Sequence, residues 1–218
     1  MNILVFAPHN DDEVLGVGGT IAKFAGAGHR VIVCEATRGA NDGPVKMIRD
    51  EAHEAHKVLG VAETVFLELP GLDLHLTPTK QKNAPYLDVV KKFDPDIAFI
   101  PHHGDLHSAH ISCAESCLVA LRPMNAPKLR AIYAYETLSE SEWNVPDGAH
   151  AFIPNTWCDI TETLDTKLAA MKCYASQLRS FPHPRSLEAI EALAKMRGST
   201  VCVESAEAFM QLREILTC

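Results

Sequence analysis

The sequence lacks the features of a membrane, nucleic-acid-binding or disulfide-stabilised protein. Its longest apolar runs, such as residues 3–7, fall far short of the roughly 18 residues that suggest a membrane span. It carries 20 Lys and Arg against 28 Asp and Glu, a net charge of −8 without a basic cluster, which argues against nucleic acid or an anionic membrane as a partner. Seven cysteines, an odd number without the spacing of a disulfide framework, indicate reduced thiols. With a strand predicted from Asn2, we expect no secretory signal and a cytoplasmic protein.

Alternating strand and helix patterns fill the first 136 residues. The apolar runs predict strands over residues 3–7, 30–36, 63–69, 96–101 and 130–136. Between them, apolar spacings of three and four predict helices over 18–26, 46–59, 85–93 and 109–122. This alternation predicts an α/β, Rossmann-like fold: a doubly wound, mostly parallel sheet of order 3-2-1-4-5.

The remaining residues break this rhythm. Residues 137–155 contain several Pro and Gly positions and predict a long surface excursion. Helical patterns over 161–174 and 186–196 then predict a helical C-terminal part. Without a linker or an internal repeat, we expect residues 1–218 to form a single domain.

Histidines are concentrated in residues 102–110, which hold four of the eleven in the chain. An even distribution would place fewer than one in a window of that length. Neutral imidazole is the commonest metal ligand, and it can gain or lose a proton near pH 7. The cluster therefore predicts a metal site, proton transfer or both. By contrast, His53 and His56 lie in a charged helix pattern, and we expect them to face solvent or to be only partly buried.

A second polar cluster, from His9 to Glu13, follows the first predicted strand directly. By themselves, its carboxylates could be a solvated acidic turn at a helix N-terminus. However, a His and a carboxylate three residues apart can converge on one cation. The adjacent side chains of Asp11 and Asp12 cannot point the same way, so one can bind a metal ion while the other handles a proton.

The predicted topology brings the two clusters together, because strands 1 and 4 are neighbours and ligands bind where the strand order reverses. A catalytic zinc needs three protein ligands and an open position for water, and His9, Asp12 and His110 form such a set. Asp11 is then placed to take a proton from zinc-bound water. His107 can stabilise the oxyanion or supply a proton to the leaving amine.

Residues 7–16 resemble the signature A-H-P-D-D-E of the PIG-L/LmbE-like family of zinc-dependent N-acetylglucosaminyl deacetylases. Further matches, which extend the resemblance over nearly the whole chain, include residues 18–20, 37–39, 49–51, 59–61 and 105–110. The resemblance implies zinc binding by His9, Asp12 and His110, with Asp11 as general base. It also implies an acid or electrostatic role for His107 and a substrate contact for Arg49.

Two positions depart from the family pattern. Asn10 replaces the usual proline, which should loosen the turn but leaves the ligands intact. Ala109 stands where the family commonly has an Asp that orients the acid histidine. Without that Asp, we expect a lower pKa for His107, unless Asp105 substitutes as its partner.

The leading hypothesis is a metal-dependent hydrolase that removes the N-acetyl group of an N-acetylglucosamine-type amino sugar or its conjugate. Zinc-bound hydroxide would attack the amide carbonyl, and Fe2+ or Co2+ could replace Zn2+ in a two-His, one-carboxylate site. The family resemblance makes a homo-oligomer, a trimer or a hexamer, plausible.

An alternative function is a non-catalytic nucleotide- or sugar-binding module of Rossmann-like fold. Gly16, Gly18 and Gly19 near a helix start, with Glu35 at the end of strand 2, imitate a dinucleotide fingerprint. The imitation is weak, because about eight residues separate the strand from these glycines and the three carboxylates between them would repel a pyrophosphate. A related possibility, suggested by Ala109, is a degenerate relative that binds metal or sugar without turnover.

Overall fold

A computed structural model describes residues 1–38, 45–71 and 73–216. The seven strands are β1 (Asn2–Ala7), β2 (Arg30–Thr37), β3 (Glu63–Leu69), β4 (Ile97–Pro101), β5 (Ala131–Tyr135), β6 (Thr156–Asp159) and β7 (Ala206–Glu214). The α-helices are α1 (Asp12–Gly26), α2 (Val45–Leu59), α3 (Thr79–Phe93), α4 (Ser108–Ala120), α5 (Leu164–Cys173) and α6 (Leu187–Ser199). Gly39, one of the family matches, lies outside the described residues. None of the described helices is long and apolar enough to cross a bilayer.

The strands form one sheet of order β3-β2-β1-β4-β5-β7-β6. The first five strands in this order are parallel, which confirms the predicted fold class and the order 3-2-1-4-5. The C-terminal part contains the two predicted helices, and it also contributes β6 and β7, which pair antiparallel and extend the sheet beyond β5. These two strands are not predicted from the sequence, because β6 has only four residues and β7 begins with Ala-Glu-Ala, a combination that favours helix.

Apolar side chains cover both faces of the sheet, as a parallel sheet between two layers of helices requires. In β1, Leu4 and Phe6 belong to the core on the side of α3 and α4. The alternate residues Ile3 and Val5 belong to the core on the side of α1, α2, α5 and α6. This alternation explains why β1 is a continuous apolar run in the sequence.

Helix α1 begins at Asp12, six residues before the predicted start. Asp12 and Glu13 interrupt the apolar pattern, so the sequence does not predict this start. They lie in the first helical turn, where the positive end of the helix dipole favours negative charge. The following glycines allow close packing: a Cβ on Gly16 would overlap the ring of Tyr135, and one on Gly19 would contact Ile160 at 2.8 Å. They therefore serve the contact of α1 with the sheet and with the segment after β6.

Candidate metal centre and active site

The three predicted metal ligands lie together at the carboxyl ends of β1 and β4. His9 is in the turn after β1, Asp12 opens α1, and His110 is in the first turn of α4. Asp12 Oδ2 lies 3.2 Å from His9 Nδ1 and 3.1 Å from His110 Nε2, and the two imidazole nitrogens are 3.3 Å apart. Ligands at roughly 2.0–2.1 Å around a tetrahedral zinc would be separated by about 3.3 Å. The spacing therefore fits a single ion, and we name these three residues the first triad.

The surroundings of the first triad also fit a cation. Asp12 is fully buried, and its Oδ1 has no hydrogen-bond partner in the described part of the chain. His110 Nδ1 donates to Asp105 Oδ2 at 2.8 Å, which leaves Nε2 free to bind a metal. Ser141 Oγ donates to the other oxygen of Asp105. The excursion after β5, which is buried at Thr137 and Ser139, thus supports a predicted metal ligand.

The charges of the first triad are strongly coupled. Burial alone would raise the pKa of Asp12, but His110 and His9 hold it well below its ordinary value. Burial alone would lower the pKa of His110, but Asp12 and Asp105 raise it well above its ordinary value. A metal ion that binds His110 Nε2 must displace the proton that this nitrogen carries when the imidazole is protonated. Metal binding and protonation therefore compete at this site.

Asp11 lies directly beside the first triad, as the N-cap residue of α1. Its backbone has φ 137°, a conformation that residues other than glycine rarely adopt, and its N–H donates to Glu13 Oε2 at 3.1 Å. The side chain is buried, and Arg185 Nη1 lies 3.1 Å from Asp11 Oδ2. Burial raises the pKa of Asp11 well above its ordinary value, and Arg185 opposes this effect. A buried carboxylate with a raised pKa is suited to general base catalysis near neutral pH.

Arg185 is a site residue that the sequence analysis does not predict. Besides Asp11, its guanidinium contacts Ser139 Oγ at 2.9 Å and lies 3.7 Å from Glu140. Asp11 and Arg185 are 174 positions apart, and no motif marks the arginine. Only the path of the chain between α5 and α6 brings it to the candidate active site.

His107 is half-buried at the start of α4, with its ring centroid 4.6 Å from that of His9. Its Nδ1 accepts a hydrogen bond from the backbone N–H of Ala109 at 3.1 Å. Burial, and then repulsion from the neighbouring imidazoles of His9 and His110, lower the pKa of His107 to about 4. The imidazole is therefore neutral near pH 7, with its proton on Nε2. Asp105 does not replace the missing family Asp as its partner, because it is bonded to His110 instead.

Arg49 is placed differently from the other predicted site residues. Its guanidinium pairs with Glu68 at 2.6 Å and lies 4.9 Å from the centroid of the Phe66 ring. These contacts place its charge beside the end of β3, and its substrate contact stays a prediction.

His56 differs from its expected exposure, since only 3% of its surface is accessible. The expectation of a solvent-facing or partly buried ring is wrong, because α2 packs this residue against two buried carboxylates, Glu13 and Glu35. Glu35 is itself fully buried, so it does not offer a free carboxylate at the end of β2 for a ribose.

Comparison with known proteins decides the family. The model of the PIG-L family, described as GlcNAc-PI de-N-acetylase, matches residues 4–121. This chain belongs to the PIG-L family. That match covers β1 to α4 and thus both polar clusters, and it confirms the resemblance seen in the sequence.

Two PIG-L relatives and one solved structure illustrate the similarity. The chain is 29% identical to the uncharacterized deacetylase YaiS of Escherichia coli, over 80% of this chain and 90% of YaiS. It is 24% identical to the diacetylchitobiose deacetylase of Thermococcus kodakarensis, over 80% of this chain and 69% of that protein. The crystal structure of the conserved protein TT1542 from Thermus thermophilus superimposes with a TM-score of 0.79 at 26% identity, covering 99% of this chain and 96% of that one.

Proposed function

We propose that the protein is a metal-dependent hydrolase that removes the N-acetyl group of an N-acetylglucosamine-type amino sugar or its conjugate. The observation that carries this proposal is the first triad, whose three ligand atoms lie within 3.3 Å of one another beside the buried carboxylate of Asp11. Membership in the PIG-L family and the similarity to a diacetylchitobiose deacetylase support the substrate class.

His9, Asp12 and His110 would hold the ion. Two imidazole nitrogens and one carboxylate oxygen suit Zn2+, and they also suit Fe2+ or Co2+. Such an ion supplies a Lewis acid that polarises the amide carbonyl and lowers the pKa of water. The hydrogen bond from His110 to Asp105 orients the imidazole for this role.

Asp11 would act as the general base. It accepts a proton from the attacking water, and the same proton is then available for the amine that leaves. Arg185 keeps the ionised form of Asp11 accessible in spite of complete burial, because its positive charge offsets part of the desolvation. The products are acetate and a free amine.

His107 would stabilise the negative charge that develops on the carbonyl oxygen. Because its Nδ1 is occupied by the Ala109 N–H, the neutral ring presents Nε2–H as a hydrogen-bond donor. A donor placed where charge develops contributes more in a site that excludes water than it does in bulk water. Arg49 completes the proposal as a contact to a more distant part of the substrate, on the strength of the family resemblance alone.

The test is acetate release from N-acetylglucosamine and N,N'-diacetylchitobiose by the metal-loaded protein. Asp11→Asn should lower kcat about 10²- to 10⁴-fold, the usual contribution of a general base, while the metal content stays unchanged. His110→Ala should lose the metal and the activity together. Asp50→Asn, at an exposed position of α2, is the matched control.

A fully metal-loaded protein that binds these sugars without releasing acetate would contradict the proposal. It would favour the alternative function, a non-catalytic sugar-binding module.

A further inference from the structure

A second cluster of ligand-type side chains lies behind the active site. It consists of Glu13 in the first turn of α1, Glu35 in β2 and His56 in α2, and we name it the second triad. His56 Nε2 lies 3.2 Å from Glu13 Oε1 and 3.3 Å from Glu35 Oε1. The two glutamates are fully buried and His56 is almost so, which distinguishes this cluster from a solvated acidic surface.

The second triad repeats two geometric features of the first. The separations of 3.2 and 3.3 Å from His56 Nε2 to the two glutamates match those of the first triad, at 3.1–3.3 Å, and all three ligand atoms lie within 4.8 Å of one another. In each triad one histidine faces the other two residues with Nε2, and its Nδ1 lies 2.8 Å from a side-chain oxygen. That oxygen belongs to Asp105 for His110 and to Thr64 for His56. Metal-bound imidazoles are commonly held by such a bond.

Within the second triad, Glu35 gives the strongest argument for a bound cation. Neither of its carboxylate oxygens has a well-formed hydrogen bond among the described residues, although the side chain is fully buried. His56 Nε2 lies 3.3 Å from Oε1, but the same nitrogen also faces Glu13. A buried carboxylate without hydrogen bonds is costly, and such groups are normally paired or bound to a metal. Burial and the nearby carboxylates of Glu13, Asp12 and Asp11 also raise the pKa of Glu35 well above its ordinary value.

We propose that Glu13, Glu35 and His56 bind a second divalent cation, separate from the ion of the first triad. Two carboxylates would balance the charge of a divalent ion, and the imidazole would supply a third ligand among buried residues. This inference does not rest on the proposed deacetylase activity.

The second ion would act on the active site through Glu13. Tyr174 Oη donates to Glu13 Oε1 at 2.6 Å, and Glu13 Oε2 accepts the backbone N–H of Asp11. An ion that anchors Glu13 therefore holds the turn with φ 137° that positions Asp11. The second triad would thus be a positioning site, without contact to the substrate.

The experiment is a count of metal ions in the full chain after Zn2+ loading and removal of free ion. Wild type should hold about two Zn2+ per chain, and Glu35→Gln and His56→Gln about one each. His110→Gln should also hold about one, because it loses the ion of the first triad instead. Glu54→Gln and His53→Gln, at exposed positions of α2, are matched controls and should keep both ions.

A second measurement needs only the wild type and covers the case in which a buried variant fails to fold. Anomalous diffraction at the zinc edge should show one peak at each triad. A chelator should remove the two ions in two phases, the enclosed one more slowly.

A wild type that saturates at one ion, or a second ion that survives in both Glu35→Gln and His56→Gln, would overturn the proposal. Because the readout is metal content, an inactive protein with two ions would refute the deacetylase alone.

Discussion

The support of His110 by Asp105 allows a prediction about metal affinity. Asp105 is fully buried, and its Oδ2 accepts a charge-assisted hydrogen bond from His110 Nδ1 at 2.8 Å. No other described residue accepts a hydrogen bond from His110 Nδ1. Asp105→Asn keeps the size of the side chain but removes the charge. Its amide must either present a carbonyl oxygen, which accepts a weaker bond, or place an N–H group against the imidazole N–H.

The expected loss is about 10- to 100-fold in affinity for Zn2+, the usual effect of removing such a partner. This corresponds to about 1.4–2.8 kcal/mol. The loss should be largest at alkaline pH. Asp105 also raises the pKa of His110, so the pKa of His110 should be lower in the variant. Protons then compete less with Zn2+ for His110, and this offsets part of the loss of affinity as the pH falls.

The assay is a competition titration of Zn2+ between the protein and a chromophoric chelator at several pH values. Ser141→Ala removes only the hydrogen bond to the other carboxylate oxygen, so its loss should be smaller. Asp147→Asn changes an exposed carboxylate in the same excursion and serves as the matched control. Equal affinities of wild type and Asp105→Asn at alkaline pH would refute the reasoning.

Three further predictions concern stability. Lys167→Met removes one partner of a buried ion pair with Glu207, 2.6 Å long, and should cost about 3–5 kcal/mol, seen as a lower Tm in calorimetry; a Tm equal to that of wild type would contradict the pairing. Gly16→Ala places a methyl group into the facing tyrosine ring and should lower the free energy of unfolding by about 1–3 kcal/mol in urea titrations; an unchanged midpoint would disprove this close contact. Lys92 holds the pKa of Glu63 below its ordinary value, so this stabilisation is present above the unfolded-state pKa of about 4.3 and is lost as the pH falls through the lower folded-state pKa. Glu63→Gln should flatten the decline of stability with falling pH in that window, and urea midpoints that decline as in wild type would count against it.

The sequence by itself determines the parallel part of the fold and the centre of the site. Apolar runs mark five strands because parallel strands are buried on both faces, and the alternation with helices then restricts the strand order. The predicted ligand set is also local in origin. His9 and Asp12 are three residues apart, His107 and His110 likewise, and strand adjacency supplies the remaining contact between the two pairs.

Tertiary structure alone decided which polar groups pair with one another in the buried site. The partner of Asp11 is Arg185, and the partner of Asp105 is His110 rather than His107. Helical periodicity indicates which face of a helix is buried but not which charges lie opposite, so it did not reveal the contact of His56 with two glutamates. Local sequence patterns indicate which residues are buried and where helices and strands begin and end. The pairing of buried charges depends on which elements pack together, and only the folded chain defines it, as for Asp11 and Arg185, which are 174 positions apart.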